Sequence, residues 1–138
     1  MITYRVAKPD EHDRIVRVAR RSPYTKDFSN QVMFSSLASY ERGWIRVADN
    51  NGLIVGFSCI REKVRAPEVV LYFVGVDPAY RRQGIGWGLI KELMRHASHR
   101  TLVLKCDRHN KEALALYRSR GFNQYGENAK YLLLRRDW

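Results

Sequence analysis

The sequence predicts an α/β sandwich built on a mixed sheet of about seven strands. Two observations carry this. Apolar periodicities of two and of 3.6 alternate along the chain in the order β-α-α-β-β-β-α-β-α-β-β. A nearly continuous apolar run, Glu68 to Val76, also feeds through a glycine-rich turn into an amphipathic helix. The 138 residues match one domain, so 1–138 is expected to form a single unit.

Ile2 to Ala7 alternates well enough for a first strand. Pro9 and Asp10 open a helix to roughly Arg21, with Ile15, Val18 and Ala19 inward and Arg14, Arg17 and Arg21 on the wet side. Ser22-Pro23 ends it, because a residue before proline avoids the helical region. A second helix is expected from about Phe28 to Arg42, its apolar stripe being Met33, Phe34, Leu37 and Tyr40, with Gly43 closing it. Trp44 to Ala48 and Leu53 to Lys63 read as antiparallel strands around an Asn51-Gly52 hairpin turn. The buried strand Glu68–Val76 follows, and Gly75 inside it suggests a bulge or the close approach of another backbone or a ligand. Trp87 to about Ser98 is a helix with Leu89, Ile90, Leu93, Met94 and Ala97 inward. Thr101 to Cys106 is a strand, and Asn110 to Arg120 is a helix facing inward with Ala113, Leu114 and Tyr117. Phe122–Tyr125 and Lys130–Leu134 supply the last two strands.

Lys and Arg number 25 against 14 Asp and Glu, a formal charge of +11. Such a field draws anions and favours an acidic or nucleic-acid-associated partner. No apolar run approaches the ~20 residues needed to cross a bilayer, and Met1 to Arg5 lacks a secretory pattern, so a cytoplasmic protein is expected. Cys59 and Cys106 sit in apolar, strand-like stretches and read as small buried hydrophobes. His12, His96, His99 and His109 lack metal-ligand spacing, and no metal is expected.

The chemistry concentrates at Arg81-Arg82-Gln83-Gly84-Ile85-Gly86, between the buried strand and the next helix. A helix start offers N–H groups without intrahelical partners and the positive end of a dipole, which together seat phosphate. Gly84 and Gly86 allow close backbone approach, and Arg81 and Arg82 can add charge-assisted bonds. Gly-Lys-Ser/Thr is absent, and the Gly84, Gly86, Gly88 spacing is not that of a dinucleotide fingerprint.

This turn matches Arg/Gln-x-x-Gly-x-Gly/Ala at Arg81, Gly84 and Gly86, and a second block reads Asn110-x-x-Ala113-x-x-x-Tyr117-x-x-x-Gly121-Phe122. In this, and in element order, the chain resembles the GCN5-related N-acetyltransferase (GNAT) superfamily, the ribosomal-protein alanine N-acetyltransferases being the nearest-looking branch. The resemblance implies a three-layer sandwich around a partly antiparallel sheet and transfer of acetyl from acetyl-CoA to a primary amine by direct attack. It implies that Val74, Gly75 and Val76 pair with the pantetheine arm and that the amides of Arg82, Gln83, Gly84, Ile85, Gly86 and Trp87 hold the pyrophosphate. Asn110 would lie near the cofactor, Tyr117 would protonate the departing thiolate, and an amide near Val76 would polarise the acetyl carbonyl.

The base departs from the pattern. The nearest-looking branch carries a glutamate five residues before the asparagine, and that position is Lys105. Members with a base early on the bulged strand point to Glu68, although the register-matched residue is Val70. The acceptor wall would be the loop Pro23–Phe28, with Tyr24 and Phe28 as lining. The acceptor itself stays open among a protein amine, a small amine and an aminoacyl-tRNA; the last suits both the charge and Lys105. A catalytically silent acyl-CoA-binding module is the alternative. The resemblance also implies a homodimer through the last strands, with Tyr131 to Leu134 as the edge.

Overall fold

The computed structural model describes residues 1–30, 32–63, 66–97 and 100–137, with backbone only at 29, 32 and 33. Among the described residues seven strands form one sheet in the order β1-β2-β3-β4-β5-β7-β6. They are β1 (Ile2–Val6), β2 (Ile45–Asn50), β3 (Leu53–Glu62), β4 (Glu68–Val76), β5 (Thr101–Asp107), β6 (Asn123–Glu127) and β7 (Tyr131–Arg136). Only β4 and β5 run parallel; every other neighbouring pair is antiparallel. The helices are α1 (His12–Ala19), α2 (Val32–Ser35), α3 (Leu37–Glu41), α4 (Ile85–His96) and α5 (Lys111–Ser119). Among the described residues no helix is long and apolar enough to cross a membrane.

Two helical layers sandwich the sheet. On one face Ile90 and Leu93 of α4 and Leu114 and Tyr117 of α5 pack on Leu71, Leu102, Leu104, Leu132 and Leu134. On the other, Ile15 and Val18 of α1 with Phe28, Phe34 and Tyr40 cover Ile45, Val47, Phe57 and Cys59. Each large side chain so buried contributes about 1.5–3 kcal/mol of transfer free energy.

Several expected boundaries shift. The first helix begins with a 3-10 turn, Pro9–Glu11, and its α-helical part ends at Ala19. The second is not continuous: a 3-10 segment Lys26–Asn30 precedes α2, and α3 restarts after Ser36. Ser36 is extended (ψ 147°) and its hydroxyl accepts from the Ser39 amide, so an N-cap interrupts the predicted stripe. Met33's side chain in that stripe, and Ser98 and His99, lie outside the described residues. The bulge expected at Gly75 lies earlier: Cys59 pairs with Phe73 but Ile60 with Leu71, leaving Tyr72 as the extra residue. Gly75 answers a different demand, since a Cβ there would stand 2.7 Å from Phe57 Cε1. The helix after the glycine turn starts at Ile85 rather than Trp87.

Candidate active site

The sheet comes apart where its two parallel strands meet. β4 pairs with β5 only from Glu68–Leu71 to Thr101–Leu104. Beyond this, Phe73 to Val76 keep β3 as neighbour on one edge, while Lys105 to Asp107 continue the pairing with β7 that begins at Leu102. Alternate N–H and C=O groups on the inner edge of β4 are therefore left without a strand partner. A cleft of about 590 Å³ fills the gap. Val74–Val76 form its floor, Tyr80–Arg82 and Gly84–Trp87 one wall, α5 residues the opposite wall and Ser22–Thr25 the far end.

The glycine-rich turn is shaped from both sides. The Asp77 carboxylate accepts from the Ala79 amide at 2.9 Å and begins a short 3-10 turn, Pro78–Tyr80. Arg82 then takes a left-handed conformation (φ 62°) and Gly84 another (φ 78°), after which α4 starts without a side-chain cap. For an arginine that conformation costs about 1 kcal/mol, a strain stored where the chain must turn its amides outward. The first N–H groups of the twelve-residue α4 are thus unclaimed and face the cleft beside Arg81 and Arg82. Gly86 lies between Leu116 and Val76, where a Cβ would stand in ordinary contact, 3.5 Å from Leu116 Cδ2. These groups suit a diphosphate and an extended amide arm, the two parts of coenzyme A that the turn and the unpaired strand edge would have to hold.

Tyr117 projects from α5 into the cleft, 8% exposed, with its ring edge-on to Phe122 at 5.4 Å. Its hydroxyl has no hydrogen-bond partner among the described residues, and burial pushes its pKa above the usual phenol value. Asn110 caps α5, its side-chain oxygen accepting from the Ala113 amide at 3.3 Å. Of the residues singled out from the sequence, Val74, Gly75, Val76, Arg81, Arg82, Gly84, Ile85, Gly86, Trp87, Asn110 and Tyr117 all line the cleft. Gln83 is exposed and does not.

Glu68 is not brought to the cleft. It is the first residue of β4, six positions before Val74, which at ~3.3 Å per residue puts it about 20 Å away. Its carboxylate is paired with Lys63 Nζ at 2.7 Å. Sequence reasoning also missed Arg120, whose guanidinium lies 4.0 Å over the Trp87 ring across the cleft. A contact between residues 33 positions apart leaves no local pattern to find. Lys105 is exposed on the sheet face opposite Tyr117, with its Nζ 4.5 Å from the Tyr131 ring centroid. Both cysteines are buried, which raises their thiols, Cys106 to about 11, and leaves them unreactive at neutral pH.

The family model described as "Acetyltransferase (GNAT) family" matches residues 10–122. The chain belongs to the GNAT acetyltransferase family. Across its full length this GNAT protein is 51% identical to the "5-NmdU N-acetyltransferase" of Pseudomonas phage PaMx11, the alignment covering all of both chains. It is 40% identical over 86 residues to the N-alpha-acetyltransferase RimI of Mycobacterium tuberculosis, an alignment that spans 61% of this chain and 54% of that protein. Among solved structures, PaiA N-acetyltransferase from Thermoplasma acidophilum in complex with coenzyme A superposes with a TM-score of 0.84 at 17% identity, over 100% of this chain and 99% of that one. The ribosomal-protein-S18-alanine N-acetyltransferase of Escherichia coli gives 0.79 at 22%, over 99% and 94%. The protein is an acetyl-CoA-dependent N-acetyltransferase.

Proposed function

We propose that this enzyme acetylates an amine carried by a nucleoside in a nucleic-acid strand, of the kind named by 5-NmdU, by its abbreviation a 5-substituted deoxyuridine. The full-length 51% identity to the phage 5-NmdU N-acetyltransferase carries this reading. The charge of +11 suits a polyanionic carrier, and Lys105 would repel the protonated terminus of a peptide.

Acetyl-CoA supplies the acyl group as an activated thioester. Val74, Gly75 and Val76 offer their free strand edge to the amide arm. The amides at the start of α4, with Arg81 and Arg82, hold the diphosphate, and Asn110 fixes the helix from which Tyr117 reaches in. The Val76 amide donates to the acetyl oxygen as negative charge develops there. The incoming amine approaches through the gap between β4 and β5 and gives its proton to solvent at the open side. Tyr117, kept protonated by its burial, delivers a proton to the sulfur as the carbon–sulfur bond breaks.

The test is thiol release from acetyl-CoA with three acceptors: the 5-NmdU nucleoside, an oligonucleotide containing it, and an alanine-N-terminal peptide. The oligonucleotide should give the highest kcat/KM. A peptide preferred over both nucleic-acid acceptors would return the enzyme to the protein N-terminal class.

A further inference from the structure

Among the described residues no helix covers the β5–β7–β6 half of one sheet face. On β5 the buried residues are Leu102, Leu104 and Cys106, and on β7 Leu132 and Leu134, all turned to α4 and α5. The residues alternating with them are half-buried or exposed, and the cluster beneath α1 to α3 draws its strand residues from β2, β3 and β4 alone. On this uncovered face two lysines approach the Tyr131 ring: Lys105 Nζ is 4.5 Å and Lys130 Nζ 5.3 Å from its centroid.

Among the described residues neither of these two cations is neutralised by a carboxylate. Lys63 on the same face is neutralised by Glu68, and Arg135 by Asp137, each at 2.7 Å. Lys105 and Lys130 form no ion pair among the described residues. Their support is rigid. Arg108 donates from Nε and Nη2 to the Asn128 carbonyl at 2.9 and 2.7 Å, and its amide donates to the Lys130 carbonyl at 3.1 Å. The Asn128 side chain in turn accepts from the Tyr131 amide at 2.8 Å. Lys105 follows Leu104, the last β5 residue paired with β4, so the group sits at the lip of the gap.

An aromatic ring beside two uncompensated cations has the form of a seat for a base and its flanking backbone phosphates. The ring supplies a stacking face, and ammonium groups that rest on it when empty can swing to phosphate. We propose that Lys105, Tyr131 and Lys130 dock a nucleic-acid segment with an unpaired base: Tyr131 stacks on the base, and the two lysines take the flanking phosphates. This rests on the nucleic-acid acceptor proposed above and names where the strand lies. A duplex, whose bases are stacked on each other, would use only the lysines.

The test measures binding of an unmodified single-stranded oligothymidylate, and of the same strand in a duplex, across a salt series. The Lys105→Gln/Lys130→Gln protein should lose about 1.4 from the slope of log affinity against log salt, about 0.7 for each single-strand phosphate contact. Lys91→Gln/Arg95→Gln makes the same charge change on exposed positions of α4, the opposite layer, and should leave the slope in place. Tyr131→Ala should weaken single-strand binding about 5- to 150-fold, while Tyr131→Phe binds like the parent. An equal slope change from the α4 pair, unchanged binding by Tyr131→Ala, duplex bound as tightly as single strand, or an N-terminal peptide bound in preference to the strand would each overturn the proposal. Should Tyr131→Ala not fold, photocrosslinking of a 5-iodo-deoxyuridine strand to the parent protein reads the same contact, and crosslinks only away from Tyr131 refute it. The probe strand carries no amine, so strand binding can hold while acetyl transfer to 5-NmdU fails, and the reverse.

Discussion

The ring of Tyr4 on β1 occupies the space that a side chain at Gly88 of α4 would need, a Cβ built there falling inside contact distance of the Tyr4 Cζ and hydroxyl. The glycine therefore lets the first strand and α4 pack closely. Its helix penalty of about 1 kcal/mol is the cost of that contact. Gly88→Ala should destabilise the fold by about 1 kcal/mol, read as a lower Tm, since the atoms to be displaced are the tip of the partly exposed Tyr4 side chain and the alanine recovers the helix penalty. In Tyr4→Ala/Gly88→Ala the two effects should couple by about 1 kcal/mol or more in the relieving direction. Strict additivity in that double-mutant cycle would show that the two residues do not compete for space.

Arg82 holds a left-handed backbone, φ 62°, in the glycine-rich turn before α4. Arg82→Gly removes both the strain and the cation. Stability, read through Tm, should hold or rise by up to about 1 kcal/mol of relieved strain, while coenzyme A affinity falls about tenfold with the lost charge-assisted bond. Unchanged affinity by calorimetry would take Arg82 out of the phosphate site.

Tyr117→Phe should lower amine-dependent thiol release by about 10²- to 10⁴-fold while keeping the rise in Tm on adding coenzyme A. Burial raises this hydroxyl's pKa, so its protonated form persists through the alkaline range. The parent's rate should accordingly show no downturn between pH 7 and about 10. A Phe variant of parental rate would leave the proton donor elsewhere.

Glu68→Gln should leave kcat/KM within about twofold, because an exposed pair with Lys63 contributes at most about 1 kcal/mol and lies away from the cleft. A tenfold loss with Tm intact would restore Glu68 to the chemistry.

Glu11 predicts the acid limb of stability. Its buried carboxylate accepts from both terminal nitrogens of Arg5, at 2.8 and 2.7 Å, and these bonds, aided by the Lys8 amide, outweigh desolvation and hold its pKa at about 2. Its folded pKa is lowered, so this contribution is present above the ordinary value of 4.5 and is lost as pH falls toward 2. The loss should be on the order of 2 kcal/mol across that window. Chemical denaturation at pH 6 and pH 3 should show a smaller pH dependence in Glu11→Gln than in the parent.

What the sequence disclosed follows from how local its causes were. The run from Val69 to Val76, the glycines at 84 and 86 and the periodicity of α4 lie within one stretch of chain, and most of the cleft wall they form was legible, with Gln83 counted in excess and Tyr80 overlooked. The N-cap at Ser36 was hidden because the apolar stripe runs through it without a proline or glycine. Glu68 shared a strand with the true lining, and only the length of β4 separates it from the site. The Arg120–Trp87 stack and the pairing of Lys105 with Tyr131 join distant segments, and their meeting is set by strand order.

The seam between β4 and β5 has a mechanical consequence as well. Four residue pairs, Glu68–Leu71 with Thr101–Leu104, stitch the first four strands to the last three. A ligand laid along Val74–Val76 would add the missing rung to this ladder and act as a splint across it. Loading the enzyme would then stiffen the whole sheet, so amide exchange at β4 and β5 should slow together when the donor binds.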